Sequence, residues 1–210
     1  MGKNIEREFK WDASKRGVFA RFVQVLKQTC QRVDAGCALS ITDTYIDNKY
    51  KDCSQHKIAL RIRRSGGIYQ ATLKTRNALK EGLATRQEWT LPLPHVRSLK
   101  GALVTLEERQ RWNGVKLEGL AARFAIKNHR YVYQVSYGAC QCEAALDNYL
   151  TIAGGHQWRR KEIELELKKG SVKTFEKLIE KLTAQTGLPV AKISKVAGAE
   201  KWILNKFRHN

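Results

Sequence analysis

The chain has 210 residues, with 39 lysines and arginines against 20 aspartates and glutamates, a formal net charge of +19. An apolar fraction of 42% and an aromatic fraction of 9% are those of a globular protein with a sizeable core, so this basicity is not that of a disordered tail. No run approaches the roughly 18 consecutive apolar residues of a membrane span, and Met1-Gly2-Lys3-Asn4-Ile5-Glu6 has neither the apolar core of a signal peptide nor the Ser or Thr that myristoylation needs at position 6. The charge points to polyanions: nucleic acid, acidic membrane or phosphorylated small molecules.

Asn4 to Trp11 alternates, with Ile5, Arg7 and Phe9 on one side and Glu6, Glu8 and Lys10 on the other, which predicts a strand. Asp12 and Ser14 offer N-caps for a helix to about Arg32, with Phe19, Phe22, Val23, Val25 and Leu26 on its apolar side. Ser40 to Asn48 reads as a strand. Lys57 to Arg64 and Ile68 to Thr75 flank Ser65-Gly66-Gly67, a hairpin signal. Ala84 to Leu91 is a strand closed by Pro92. His95 to about Arg123 reads as mostly helical, broken at Asn113-Gly114. Arg130 to Tyr137 and Ala139 to Asp147 form a hairpin around Gly138, and Gly154-Gly155 turns into a last strand, Trp158 to Lys168. Ser171 caps a helix to about Thr186, which Gly187 ends, and a short helix follows Ser194. With no Pro- or Gly-rich linker and no repeat, residues 1–210 read as one α+β domain built on a barrel or strongly curved antiparallel sheet.

The five cysteines (Cys30, Cys37, Cys53, Cys140, Cys142) are odd in number and irregular in spacing, so they read as free thiols of a reducing cytosol. Cys140 and Cys142, two apart in a strand, face the same side, without a partner pair at zinc spacing. The five histidines, among them His129 and His209, are scattered and suggest no site.

Charge occupies one whole face of several strands. Glu6, Glu8 and Lys10 oppose Ile5 and Phe9; Arg61 and Arg63 oppose Leu60 and Ile62; Thr72 and Lys74 oppose Leu73; Arg86 and Glu88 oppose Trp89 and Leu91; Glu162, Glu164 and Glu166 oppose Ile163, Leu165 and Leu167. One such strand is a solvated face. Five together segregate: carboxylates on the first and last strands, cations on the middle ones. A closed barrel with a polar lumen explains this, its acidic wall suited to a hard divalent cation and its basic wall to phosphoryl oxygens.

These residues are similar to the signatures of the CYTH domain, the triphosphate tunnel metalloenzymes. Glu6-Arg7-Glu8-Phe9-Lys10 resembles the family's E-x-E-x-K, Tyr45-Ile46-Asp47 its Y-F-D, Ile58 to Arg64 its I-A-L-R-I-R-R, and Thr72-Leu73-Lys74 its T-L-K. Arg86-Gln87-Glu88 resembles R-x-E, Ala145-Leu146-Asp147 resembles A-L-D, Glu162 to Leu167 resembles E-I-E-L-E-L, and Ser194-Lys195 resembles the C-terminal S-K, so the likeness runs from residue 4 to about 200. Asn48-Lys49 stands where Thr-Pro is common, Lys57 where Gly is common, and Val196-Ala197-Gly198-Ala199 is an unusual continuation.

The resemblance implies a closed eight-stranded antiparallel β-barrel, a tunnel, with helices packed outside. It implies Glu6, Glu8, Glu162 and Glu164 as metal ligands with Asp147 as a helper, and Mg²⁺ or Mn²⁺ as the metal. It implies Lys10, Arg61, Arg63, Lys74, Arg130 and Lys195 as the triphosphate grip, and Glu88 as the residue that orients a basic group or a water, so that Glu88 and Lys10 serve catalysis. Arg86 and Glu166 are either site residues or structural salt-bridge partners. The implied activity is metal-dependent hydrolysis of a linear triphosphate by a cytoplasmic enzyme, with inorganic triphosphate favoured over the thiamine triphosphatase and class IV adenylate cyclase activities of the same family. No base-binding pocket is identifiable in the sequence. The rival from another class is a non-catalytic binder of polyphosphate or nucleic acid. Monomer and homodimer both stay open. The tunnel residues carry equal numbers of acids and bases, so the +19 lies elsewhere, in Lys15/Arg16, Arg159/Arg160/Lys161, Lys168/Lys169 and the lysine-rich last helix, where it either steers substrate or marks an external polyanion partner.

Overall fold

A computed structural model describes residues 3–75 and 80–207; Met1, Gly2 and His209 lie outside the described residues. In chain order the elements are β1 (Lys3–Asp12), α1 (Val18–Thr29), β2 (Arg32–Asn48), α2 (Asp52–Gln55), β3 (Ile58–Ser65), β4 (Ile68–Thr75), β5 (Leu83–Leu93), α3 (Leu99–Glu107), β6 (Arg111–Trp112), β7 (Val115–Lys116), β8 (Leu120–Tyr137), β9 (Cys140–Ala153), β10 (His156–Gly170), α4 (Val172–Thr186) and α5 (Lys195–Phe207). Eight strands close into a barrel in the order β1-β10-β9-β8-β2-β3-β4-β5, every neighbouring pair antiparallel, while β6 and β7 pair separately.

Tight turns fix the hairpins. Gly66 and Gly67 both take positive φ, the twist that a two-residue link between β3 and β4 demands. At the far end of β10, a Cβ on Gly170 would stand 1.9 Å from the Ala139 carbonyl oxygen, so only glycine lets that strand end pass β9.

Alternation sends one side of each strand inward and the other onto helices. Outside β1, β8, β9 and β10, helices α1 and α4 cover Phe9, Trp11, Leu146, Ile163 and Leu165 with Phe22, Leu26, Phe175 and Leu178. Cys140 and Cys142 share this side, as their spacing predicts, with sulfurs 3.8 Å apart. Outside β3, β4 and β5, α3 and the β6/β7 hairpin bury Leu60, Ile62, Leu73 and Leu91 against Leu106, Trp112 and Leu117. Helix α5 instead packs its Ala199 and Trp202 on the inward-facing Tyr45, Ile126 and Tyr149, and so stoppers one end of the barrel.

Four expectations are corrected. The stretch from His95 to Arg123 is helical only over Leu99–Glu107; Asn113 and Gly114, both at positive φ, turn the β6/β7 hairpin, and β8 begins at Leu120. Leu-Ala-Ala-Arg-Phe-Ala suits a helix by composition, but β2 pairs along it and holds it as a strand, with β9 joining on the other side only from Ala125. Strand β2 starts at Arg32 rather than Ser40 because it pairs with the full length of β8. Helix α1 starts at Val18 behind Gly17, φ 77, with no side-chain cap; Asp12 is spent on the Ser14 amide and on Arg160. The caps of α4 are as read, with Ser171 accepting from the Thr174 amide and Gly187 closing the end in the left-handed region. Helix α5 is not short but 13 residues long. Among the described residues no helix is long and apolar enough to cross a membrane.

Candidate active site

The inward faces enclose a cavity of about 1180 Å³. It is lined by Glu6, Glu8 and Lys10 of β1, Asp43 and Tyr45 of β2, Arg61 and Arg63 of β3, Lys74 of β4, Arg86 and Glu88 of β5, Asn128 and Arg130 of β8, Glu164 and Glu166 of β10, and Lys195 of α5. Of the residues singled out by sequence, only Glu162 and Asp147 stand behind this lining, 3% and 0% exposed, within ion-pair reach of the residues that form it. Strands β1 and β10 are barrel neighbours, so the carboxylates from the two ends of the sequence form one wall. Strands β3 and β4, carrying Arg61, Arg63 and Lys74, are adjacent to each other elsewhere on the circumference.

Each acid is held by a base. Lys10 Nζ lies 3.1 Å from Glu8 and 3.5 Å from Glu162, and pairs with Glu164. Lys195 reaches in from the first turn of α5, where Ser194 caps the helix, to Glu164 at 2.6 Å, Glu162 at 3.3 Å and Asp147. Arg130 forks onto Asp147 through two bonds of 2.7 Å, turns also to Glu164, and Asn128 donates to the same aspartate at 2.7 Å. Across the lumen Lys74 pairs with Glu6 at 2.9 Å and Glu88 at 2.7 Å, and Arg86 with Glu8 at 2.7 Å. Arg86 thus belongs to the site, whereas Glu166 is paired with Lys168 at 2.7 Å on the cavity edge.

The protonation states follow from these partners. Burial works against the Lys10 ammonium, but Glu164, Glu8 and Glu162 outweigh it and raise its pKa, so Lys10 stays a cation. Lys195 is raised in the same way, against burial, by Asp147, Glu164 and Glu162. Burial pushes Glu164 up, but Lys10, Lys195 and Arg130 hold it well below the usual carboxylate range. Glu88 is lowered against burial by Lys74 and Arg61, and Glu6 against burial by Lys74. Glu162 goes the other way: burial raises it more than Lys195 and Lys10 lower it.

Asp43 was not singled out by sequence. It receives Arg63 as a bidentate fork at 2.7 and 2.8 Å and Arg61 at 3.2 Å, so one buried carboxylate sets the spacing of the two arginines. The available signal was position: Asp43 stands two residues before Tyr45, on the same strand face. Asp47 of the same strand accepts from the amides of Asn48, Cys53 and Ser54 and holds the turn into α2. Arg61 Nε is buried without a hydrogen bond to any described residue, a donor left over at the basic wall.

The donor set of the acidic wall is all carboxylate oxygen, which suits a hard divalent cation and not zinc or copper. Among the described residues no three acids are placed to hold a metal ion; Glu8, Glu162 and Glu164 converge instead on the Lys10 ammonium. Glu6, Glu8 and Glu164 are the oxygens that face the cavity and could hold such an ion.

Beside the tunnel a second cavity of about 300 Å³ opens between β2, β3, β8 and α5, lined mainly by apolar groups including Tyr45, Phe124, Ile203 and Leu204. Tyr45 and Phe124 stack with centroids 4.7 Å apart, and Tyr45, Ala59 and Val196 border both cavities.

The family model described as the CYTH domain matches residues 4–199. The inorganic triphosphatase of Haemophilus influenzae is 28% identical over 178 residues, 81% of this chain and 50% of that protein, so the chain spans about half the length of this curated relative. Among solved structures, the Hippeastrum protein HpAC1, described as having a dominant triphosphatase activity, superposes with a TM-score of 0.66 at 20% identity, covering 93% of this chain and 95% of that one. The PH1819 protein of Pyrococcus horikoshii gives 0.62 at 20% identity, with 96% and 99% covered. The Mimivirus capping enzyme triphosphatase gives 0.52 at 11% identity, with 87% and 90% covered. At these identities the structural likenesses carry the fold alone. The family model covers nearly the whole chain, and its span holds every tunnel-lining residue from Glu6 to Lys195: the chain belongs to the CYTH domain family.

Proposed function

We propose that the chain hydrolyses a linear triphosphate inside the tunnel, with inorganic triphosphate, cut to diphosphate and phosphate, as the favoured substrate and Mg²⁺ or Mn²⁺ as the metal. The observation that carries this is the charge pattern of the lumen, a carboxylate wall from β1 and β10 within reach of cations from β3, β4, β8 and α5. The Haemophilus relative supports the substrate, and the five cysteines without a disulfide suit a cytoplasmic location.

When bound, the divalent ion supplies charge neutralisation on phosphoryl oxygens. Glu6, Glu8 and Glu164 would hold it, with Glu162 and Asp147 behind them keeping Lys10, Lys195 and Arg130 in place. Arg61, Arg63, Lys74, Arg130 and Lys195 grip the phosphates, the arginines by paired N–H bonds and the lysines as point charges. Lys10 remains an ammonium in the acidic wall, so it acts by charge and not as a base. Glu88, kept ionised by Lys74, orients that lysine or the attacking water rather than storing a proton.

The second cavity favours one further reading, an organic triphosphate such as thiamine triphosphate or ATP whose ring system occupies the apolar space beside Tyr45. Phosphate release from inorganic triphosphate, thiamine triphosphate and ATP, together with cyclic AMP formation, measured with and without Mg²⁺ or Mn²⁺, distinguishes these. Metal-dependent release from inorganic triphosphate that is lost in E6Q/E8Q is the expected result. Full activity in that variant overturns the site, and tight triphosphate binding without turnover at any metal concentration makes the chain a binder.

A further inference from the structure

The helices leave one part of the barrel's outer surface bare. On β8, β9 and β10 the outward residues align in register: Lys127 beside Leu150 beside Arg159 in one row, and His129 beside Asn148 beside Lys161 in the next. The row after that starts with Tyr131, whose neighbours Leu146 and Ile163 pass under α1 and α4. Lys127, His129 and Arg159 are exposed, Leu150 is half-buried, and the Tyr131 ring is 47% exposed. At about 4.8 Å between strands and about 7 Å between alternate residues, the cations spread over a field of about 10 by 7 Å, with Tyr131 about 7 Å further along β8.

Four properties distinguish this face. No aspartate or glutamate stands in these rows, and α1, which borders them, contains none. The positive field continues past Lys161, because its carbonyl receives the Ala13 amide and so brings the exposed Lys15 and Arg16 alongside. Among the described residues Arg159 meets only the side-chain oxygen of Asn148, at 3.4 Å, and Lys161 lies over the Phe19 ring at 5.7 Å. On the β2 side Tyr131 is flanked by Ala38 and His129 by Ser40, so small residues leave both rings accessible, and Tyr133 stands 5.8 Å from Tyr131.

We infer that this outer face of β8–β10 binds single-stranded nucleic acid. Cations without an ion pair among the described residues, in rows that carry no carboxylate, fit a phosphodiester backbone. The exposed tyrosine and the half-buried Leu150 offer flat apolar area to bases, which a bare phosphate polymer would leave unused. The face is a sheet with no helix or ribbon standing up from it to enter a duplex groove, so unstacked bases are the better match. The site is separate from the tunnel: Arg130 of β8 points into the lumen while Lys127, His129 and Tyr131 of the same strand point out.

The test is fluorescence anisotropy of the full chain with 5′-hydroxyl U15 RNA and T15 DNA, probes with no triphosphate end. Binding is expected to persist in saturating inorganic triphosphate and in E6Q/E8Q. Its logarithmic affinity should fall with log salt at a slope of about −2, as three phosphate contacts on a single strand require. K127Q/R159Q/K161Q should weaken binding at least ~10-fold and flatten that slope, and Y131A should weaken it ~5-fold or more at unchanged slope. Both surface variants should keep the wild-type melting temperature and the wild-type kcat at saturating triphosphate, which shows they are folded. Absence of binding to both probes at 50 mM salt, loss of binding in triphosphate, no effect of the triple variant, or no effect of Y131A each overturns the inference.

Discussion

Arg130 and Lys127 lie three residues apart on β8, and they occupy opposite electrostatic worlds. Arg130 is held inside by Asp147 and Glu164, its charge matched and its pKa raised well above the usual value against burial. Lys127 stands outside with no ion pair among the described residues. The lumen is charge-rich but close to balanced, since buried ions survive only in company; the outer face is charge-poor in number but of one sign. Net charge therefore reports the exterior of this barrel, and the catalytic proposal rests on segregation alone.

The largest expected effect comes from unbalancing the lumen at its acidic wall. E6Q/E8Q should lower metal-dependent phosphate release by ~100-fold or more, on the scale of removing preorganised charge stabilisation; a phosphate-release assay reads it. Next is R130M, which deprives Asp147, 0% exposed, of its fork and leaves that carboxylate to Lys195 and Asn128. Urea denaturation should show a loss of about 3 kcal/mol, as for a buried pair broken on one side. D43N is smaller: it frees Arg61 and Arg63 from their common anchor, and KM for triphosphate should rise about tenfold with a lesser change in kcat, in proportion to lost positioning.

Acid should dissolve the balance of the interior before it touches the exterior. Glu6, Asp43, Glu88, Asp147 and Glu164 all have folded pKa values below their ordinary ones, set against burial by the neighbouring cations. The stability they contribute is complete above the unfolded carboxylate range near pH 4 and is lost as pH falls through the lower folded values. Glu162, raised by burial, acts oppositely: its contribution is present below its unfolded value and disappears as pH rises through the folded one. Glu166 at the cavity edge is raised by burial as well, and five groups against two predict a metal-free protein whose melting temperature falls steeply below about pH 4. The smallest effect belongs outside. K127Q should change stability by less than ~0.5 kcal/mol in the same denaturation assay. If the basic exterior also steers substrate, kcat/KM for triphosphate should decline with added salt in the wild type and less so in K127Q/R159Q/K161Q.

Most of the barrel was legible because a strand with one face on helices and one in a polar lumen writes its period-2 alternation plainly, as in Glu6 to Lys10 and Glu162 to Leu167. The start of β8 was not, because Leu120 to Ala125 is rich in alanine and its strand state is imposed by β2 from far along the chain. The same gap hid the side cavity, which joins Phe124 of β8 to Leu204 of α5 and has no local signature. Among site residues, the charges on regular strands were found and brought together. Asp43 was overlooked because it sits alone among Thr, Tyr and Ile, and Asn128 because it is uncharged between Lys127 and His129; only the register that opposes Asp43 to Arg63 and the bond from Asn128 to Asp147 explain them. Arg86 became a site residue only once β5 was paired to β1, opposite Glu6.

Closure of the barrel has a consequence for how the protein comes into being. Lys10 meets Glu162 across 152 residues of sequence, and Lys195, the cation that completes the acidic wall, belongs to the last helix. A nascent chain emerging from a ribosome can form the β3/β4 hairpin early, but β1 must wait for β10, and the lumen stays open until α5 follows. Contacts of such span make folding slow. Until then the carboxylates of β1 lie without their β10 and α5 partners in water, where an early cation or polyphosphate could act as a template for the final ring of strands.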